Sequence, residues 1–126
     1  MSGLTFDEVS TINRARCARW HPGYPGYAYA EGLAVWTGAD WSNAMCGEAG
    51  EAANVVKKLR RIESGADRGP DDPDEATLRQ MLADEIGDVY AYLDLLAGHY
   101  GIDMAEAIAS KFNRVSERQG FPERIR

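Results

Sequence analysis

Two short stretches hold most of the chemistry this sequence offers. Gly47-Glu48-Ala49-Gly50-Glu51 carries two acids three residues apart, and Asp84-Glu85-Ile86-Gly87-Asp88 carries another such pair. On a helix, that spacing puts both carboxylates of a pair on one face, where like charges cost a few tenths of a kcal/mol. Each pair also encloses a glycine, Gly50 or Gly87, and a mid-helix glycine costs roughly 1 kcal/mol relative to alanine. Unfavourable choices at matching places call for a reason. A hard divalent cation is one, because it gathers several carboxylate oxygens and still accepts phosphate oxygens. Converging acids without histidine favour Mg²⁺ or Mn²⁺ over zinc. Glycine at these positions is expected to permit close helix approach. The competing reading is four solvated acids on helix surfaces.

Helices must position these acids, and the apolar spacing predicts four, with no convincing strand. The first begins at Thr5, with Glu8 at capping-box spacing, and fades near Trp20. Residues 21–39, rich in Gly, Tyr and Pro, read as a loop or irregular arm. The second helix is expected from about Ser42 to about Glu63, with Asp40 or Ser42 as N-cap and Met45, Ala49, Ala52, Val56 and Leu59 as its apolar stripe. A polar linker, residues 64–73, ends in the acids Asp71, Asp72, Asp74 and Glu75, which suit the positive start of a helix. On the third helix Leu82, Ile86, Val89, Leu93, Leu96 and Tyr100 recur at steps of four and three, the pattern of a packed seam. By this reading each acid pair borders the seam of its own helix. Asp103 then caps a fourth helix, with Met104, Ile108, Phe112 and Val115 as its apolar face and Gly120 and Pro122 at its end.

A length of 126 residues implies one domain, 1–126, an all-α four-helix bundle whose modest core makes self-association a reasonable expectation. No apolar run approaches the ~20 residues of a membrane span, and no secretory signal is visible over residues 1–8. Cys17 and Cys46 are too few for a disulfide scaffold, lack metal spacing and read as small core residues, so a reducing cytoplasm is the default. A net charge of −6 disfavours a nucleic-acid polymer as partner. His21 and His99 form no metal pattern, and neither has a glutamate three residues before it, which removes a di-iron bundle.

The residues Gly47-Glu48-Ala49-Gly50-Glu51-Ala52-Ala53-Asn54, followed by Asp84-Glu85-Ile86-Gly87-Asp88, resemble the MazG-like all-α nucleoside triphosphate pyrophosphohydrolases, a superfamily with dimeric dUTPase, dCTP pyrophosphatase and phosphoribosyl-ATP pyrophosphohydrolase members. The likeness extends from about Trp41 to Pro122 and includes Lys111-Phe112-Asn113. It implies an all-α NTP pyrophosphatase fold, Mg²⁺ held by Glu48, Glu51, Glu85 and Asp88, and hydrolysis of an NTP or dNTP to the monophosphate and pyrophosphate in nucleotide-pool house-cleaning. It also implies a homodimer or homotetramer with the site at or near the subunit contact. The stretch between Glu51 and Glu85 is longer than is common in that superfamily, and the linker 64–73 is where the excess falls.

Either Glu51 or Glu48 is expected to orient the attacking water as base. Lys58, seven residues after Glu51, and Lys111, which shares a face with Arg114 and Arg118, are candidates for the outer phosphates. Asn113 is a weaker candidate there. Tyr92, one turn after Asp88, is read either as a phosphate or sugar contact or as a packing residue. Trp41, Trp36 or a loop tyrosine is read either as a base-stacking partner or as an anchor for the arm. A non-catalytic helical module that binds nucleotide or a protein partner is the alternative function.

Overall fold

The computed structural model describes residues 3–20 and 36–126, and every regular element among them is an α-helix. Each helix starts on a residue whose side chain answers the free amides of a first turn. Thr5 and Glu8 form a reciprocal capping box before α1, Phe6–Trp20. The helix α2, Gly38–Glu63, opens on a second box, in which Asp40 N–H donates to Thr37 Oγ1 and Thr37 N–H donates to Asp40 Oδ2. The N-cap is therefore Thr37, not Asp40 or Ser42, and Asp40 is its reciprocal partner. Gly38 and Ala39, expected in the arm, are helical. Of the arm, residues 21–35 lie outside the described residues, and Trp36 and Thr37 lead into α2. Asp74 Oδ1 accepts from Thr77 N–H before α3, Glu75–His99, and Asp103 Oδ1 accepts from Glu106 N–H before α4, Met104–Gln119. Gly101 and Gly120 turn the chain at the ends of α3 and α4 with φ of 66° and 70°, a left-handed conformation that a side chain resists.

The chain divides into two compact units, Trp36–Leu93 and Met1–Val35 with Asp94–Arg126. In the first, α2 and the first part of α3 pair antiparallel. Trp41 near the start of α2 meets Tyr92, Glu48 meets Glu85 and Asp88, and Val55 and Leu59 meet Leu78. Ile62, Met81 and Leu82 complete that apolar cluster.

The buried stripe keeps Met45, Ala52 and Leu59 of the expected one on α2 and Leu82 and Val89 on α3, but Val55 takes the place of Val56, and Glu48 and Glu85 those of Ala49 and Ile86. On α2 it contains Trp41, Met45, Glu48, Ala52, Val55, Leu59 and Ile62, while Val56 is 47% exposed and Ala49 is open to solvent. On α3 it contains Leu78, Leu82, Glu85, Val89 and Tyr92, while Ile86 is 59% exposed. Steps of four and three run through both readings, so periodicity alone does not choose between them. Filling the large Trp41 and Leu78 sites turns both helices onto the acid-bearing phase.

In the second unit Cys17, Leu95 and Ala97 are buried, as are Asn13 and Asp94. Asn13 Nδ2 donates to Asp94 Oδ2 over 2.8 Å, so a carboxylate 1% exposed has an amide partner. Arg14 lies over the last turn of α3, where a Cβ on Gly98 would come 2.8 Å from its guanidinium. Tyr100, expected in the seam, is exposed, and so in part are Ile108 and Phe112 on the expected face of α4. Cys46 is exposed rather than in a core; both cysteines are free. No described helix is long and apolar enough to cross a membrane.

Candidate metal centre

Because Glu48 and Glu85 occupy seam positions, the antiparallel pairing of α2 and α3 drives their carboxylates together. One carboxylate oxygen from each of Glu48, Glu85 and Asp88 can be chosen so that all three lie within 4.8 Å of one another. Glu48 and Glu85 are half-buried, whereas Asp88 and Glu51 are exposed. Glu51 belongs to the same cluster, since its carboxylate is within hydrogen-bonding reach of Glu85 and its charge acts on Glu48 and Glu85.

The electrostatics follow from this crowding. Desolvation holds the Glu48 carboxyl above its ordinary value, and Glu51, Asp88 and Glu85 push the same way. Glu85 is also raised, by desolvation first, then by the charges of Glu51, Asp88 and Asp84 and by its contact with Glu51. No described basic side chain forms an ion pair with any of the four; the described ion pairs lie elsewhere, at Lys58–Asp72, Arg61–Asp72 and Arg79–Glu75. Glu48, Glu85 and Asp88 could hold a metal ion. Carboxylates without a described histidine or cysteine among them suit a hard ion such as Mg²⁺ or Mn²⁺.

The glycines do something other than expected. Around Gly47, Gly50 and Gly87 an added Cβ would meet nothing within 4 Å, so they do not allow α2 and α3 to approach. Together with exposed Ala49, Val56 and Ile86 they belong to the outward side of the helix pair.

The remaining candidates fall in both units. Trp41 is 1% exposed, its ring 4.5 Å from Trp36 and 6.4 Å from Tyr92 between centroids. Packing occupies its surface, and its buried indole N–H has no hydrogen-bond partner among the described residues. Tyr92 is half-buried one turn after Asp88, which puts the aromatic group directly along the seam from the acids. Lys58 is held by Asp72 from the linker, Nζ to Oδ1 3.3 Å, and Arg61 reaches the other oxygen of the same carboxylate. That pairing had no signal in spacing, because linker and helix end are distant in pattern. Lys111 and Asn113 lie on α4, in the other unit. Lys111, Arg114 and Arg118 border an open cavity of about 390 Å³. Asn113 clamps the C-terminal tail, with Nδ2 donating to Ile125 O and Ile125 N–H donating to Asn113 Oδ1. A second cavity of about 280 Å³, bordered by Arg14, Ser10, Asp7 and Asp103, is also in that unit. No acid of the quartet lines either one.

Comparison with protein-family models, with characterised proteins and with solved structures gives no match.

Proposed function

We infer that the chain is a Mg²⁺-dependent nucleoside triphosphate pyrophosphohydrolase, cleaving an NTP or dNTP to the monophosphate and pyrophosphate. The observation that carries this reading is the convergence of Glu48, Glu85 and Asp88 within 4.8 Å at the centre of a helix pair, with Glu51 beside them. A structural role gives no reason to place two glutamates on the buried stripe against each other. A substrate of high negative charge approaches four carboxylates only if cations intervene. Glu48, Glu85 and Asp88 would hold them, and bound metal supplies charge neutralisation of the phosphates and a more acidic water.

Glu51 is the acid outside that group of three and the more exposed member of its own pair, so the base role falls to it rather than to Glu48. It takes the proton of the attacking water as an oxygen–phosphorus bond forms and the bridging bond that frees pyrophosphate breaks. Tyr92, one turn after Asp88, would contact sugar or phosphate. Trp36, partly exposed where Trp41 is not, is the second ring candidate for a base contact.

A homodimer or homotetramer accords with the surfaces of both units. Val56 and Ile86 are exposed, Ile86 next to Gly87 in open space, and Phe6, Ile12, Ile108 and Phe112 are exposed in the other unit. A copy packed over these side chains would take their apolar surface out of water.

The deciding experiment is a panel of NTPs and dNTPs with Mg²⁺, with pyrophosphate and orthophosphate measured separately. Pyrophosphate release that Glu85→Gln abolishes supports the enzyme. Mg²⁺-dependent nucleotide binding without turnover of any member replaces it with the binding module.

A further inference from the structure

Lys58 and Arg61 stand one turn apart on α2, and a single carboxylate answers both. Asp72 Oδ1 lies 3.3 Å from Lys58 Nζ, and Oδ2 lies 3.5 Å from Arg61 Nη1. The linker is shaped to deliver it. Asp72 N–H donates to Gly69 O, closing a turn, and a Cβ on residue 69 would come 2.8 Å from Asp72 Oδ2. The Asp72 side chain is only 16% exposed, while Asp71 and Asp74 on either side face solvent. Two cations bridged by the two oxygens of one anion form a seat that a phosphate also fits, with more charge and more oxygens. Helical side chains lean towards the N-terminus of their helix. A Lys58 released from Asp72 therefore reaches back along its face towards Glu51, two turns and about 10 Å earlier.

We propose that Asp72 is a built-in competitor of phosphate: the linker 64–73 is a strap that fills the Lys58–Arg61 seat, and an incoming polyphosphate displaces it. The identity of that polyphosphate as the substrate rests on the pyrophosphohydrolase reading; the existence of the seat does not. Asp72 is accordingly a regulatory residue that sets affinity for the outer phosphates without touching the reacting atoms.

The test is titration calorimetry of inorganic tripolyphosphate into the full chain at low ionic strength with EDTA, so that metal held by the acids contributes nothing. Asp72→Asn is expected to tighten binding about fivefold, the scale of one partly exposed ion pair removed from competition. Asp71→Asn, which deletes the same charge one residue away, is expected to change binding less than twofold. Gly69→Ala keeps the charge but crowds the carboxylate off its seat, and moves affinity in the same direction by less. Adding Lys58→Ala to Asp72→Asn removes the gain, and salt near 0.5 M compresses all the differences. Circular dichroism checks that each variant keeps its helices; if Asp72→Asn does not, Gly69→Ala decides. Unchanged or weaker binding in the deciding variant overturns the proposal and leaves Asp72 as a tie for the linker. Tighter binding without Mg²⁺-dependent turnover keeps the seat and removes the enzyme reading, and the reverse result does the opposite.

Discussion

Both units of the chain take carboxylates out of water, and they treat them in opposite ways. In the unit of Met1–Val35 and Asp94–Arg126, Asp94 is fully buried and accepts a 2.8 Å hydrogen bond from Asn13. In the unit Trp36–Leu93, Glu48 and Glu85 are half-buried against each other and against Asp88, with no described cation paired to them. That unit also holds 12 of the 20 acidic residues and 6 of the 14 basic ones, hence all of the net −6. A buried polar group that is satisfied stabilises one arrangement of its neighbours. One that is crowded by like charge stores unfavourable energy until a ligand relieves it. The first of these carboxylates is satisfied by an amide; the others are crowded by like charge, which is what the proposed metal site would relieve.

Four substitutions break or sharpen this contrast. The largest effect is expected from Glu85→Gln, which lowers Mg²⁺-dependent pyrophosphate release at least about a hundredfold, as loss of a metal ligand does. The helix content is unchanged, and a variant retaining more than a tenth of the activity removes Glu85 from the site. Next is Asn13→Leu, which leaves Asp94 buried without its amide and costs about 1–3 kcal/mol. Chemical denaturation measures that loss, and turnover per folded molecule stays at the wild-type value. If activity falls with stability held, the two units are not functionally separate.

Gly87→Ala is expected to raise the stability of the isolated chain by about 0.5–1 kcal/mol, because its Cβ enters open space and helix propensity improves. If that outward face is the contact between copies, the same variant weakens association, which sedimentation at several concentrations detects. A stable, fully associated Gly87→Ala protein sets the contact elsewhere.

The smallest effect concerns the metal-free protein. Glu48 and Glu85 have carboxyls raised by folding, so the folded state binds protons more readily than the unfolded chain does. Their contribution to stability therefore improves as pH falls from neutrality into the range just above the ordinary value of 4.5. The lowered carboxyls of the caps, Asp40 and Asp74, act oppositely: their stabilisation is present above 3.8 and is lost as pH falls through their lowered values. Glu48→Gln is expected to add a few tenths of a kcal/mol at neutral pH without metal and to flatten the rise above 4.5. Mg²⁺ stabilises the wild type and does little for the variant. Melting curves with and without Mg²⁺ check this, and an equal Mg²⁺ response in both proteins sinks the metal assignment.

Much of the architecture was legible from local chemistry. Thr5 with Glu8, Asp103 with Glu106, and Gly120 mark helix boundaries through bonds made within a few residues, which spacing alone describes. The start of α2 was less legible because Thr37, Asp40 and Ser42 are all competent caps, and only the chain's path decides which amides each meets. The acid quartet was visible as two spaced pairs. The Asp72 clamp was not, because it joins a linker to a helix end through the path of the loop.

The order and type of residues determined by themselves that the chain forms helices, where most of them begin and end, and that each of two helices carries a pair of acids on one face. Those outcomes depend on interactions across three or four residues. Tertiary structure alone decided which stripe is buried. Phases containing Ala49, Val56 and Ile86 or Glu48, Val55 and Glu85 satisfy the same four-and-three rhythm, and apolarity favours the first. Packing of Trp41 on Tyr92 and of Leu78 on Val55 and Leu59 fixes the second. A small turn of each helix about a stripe that keeps Met45, Ala52, Leu59, Leu82 and Val89 turns acids at the border of a seam into acids within it, and only contacts between helices determine that turn.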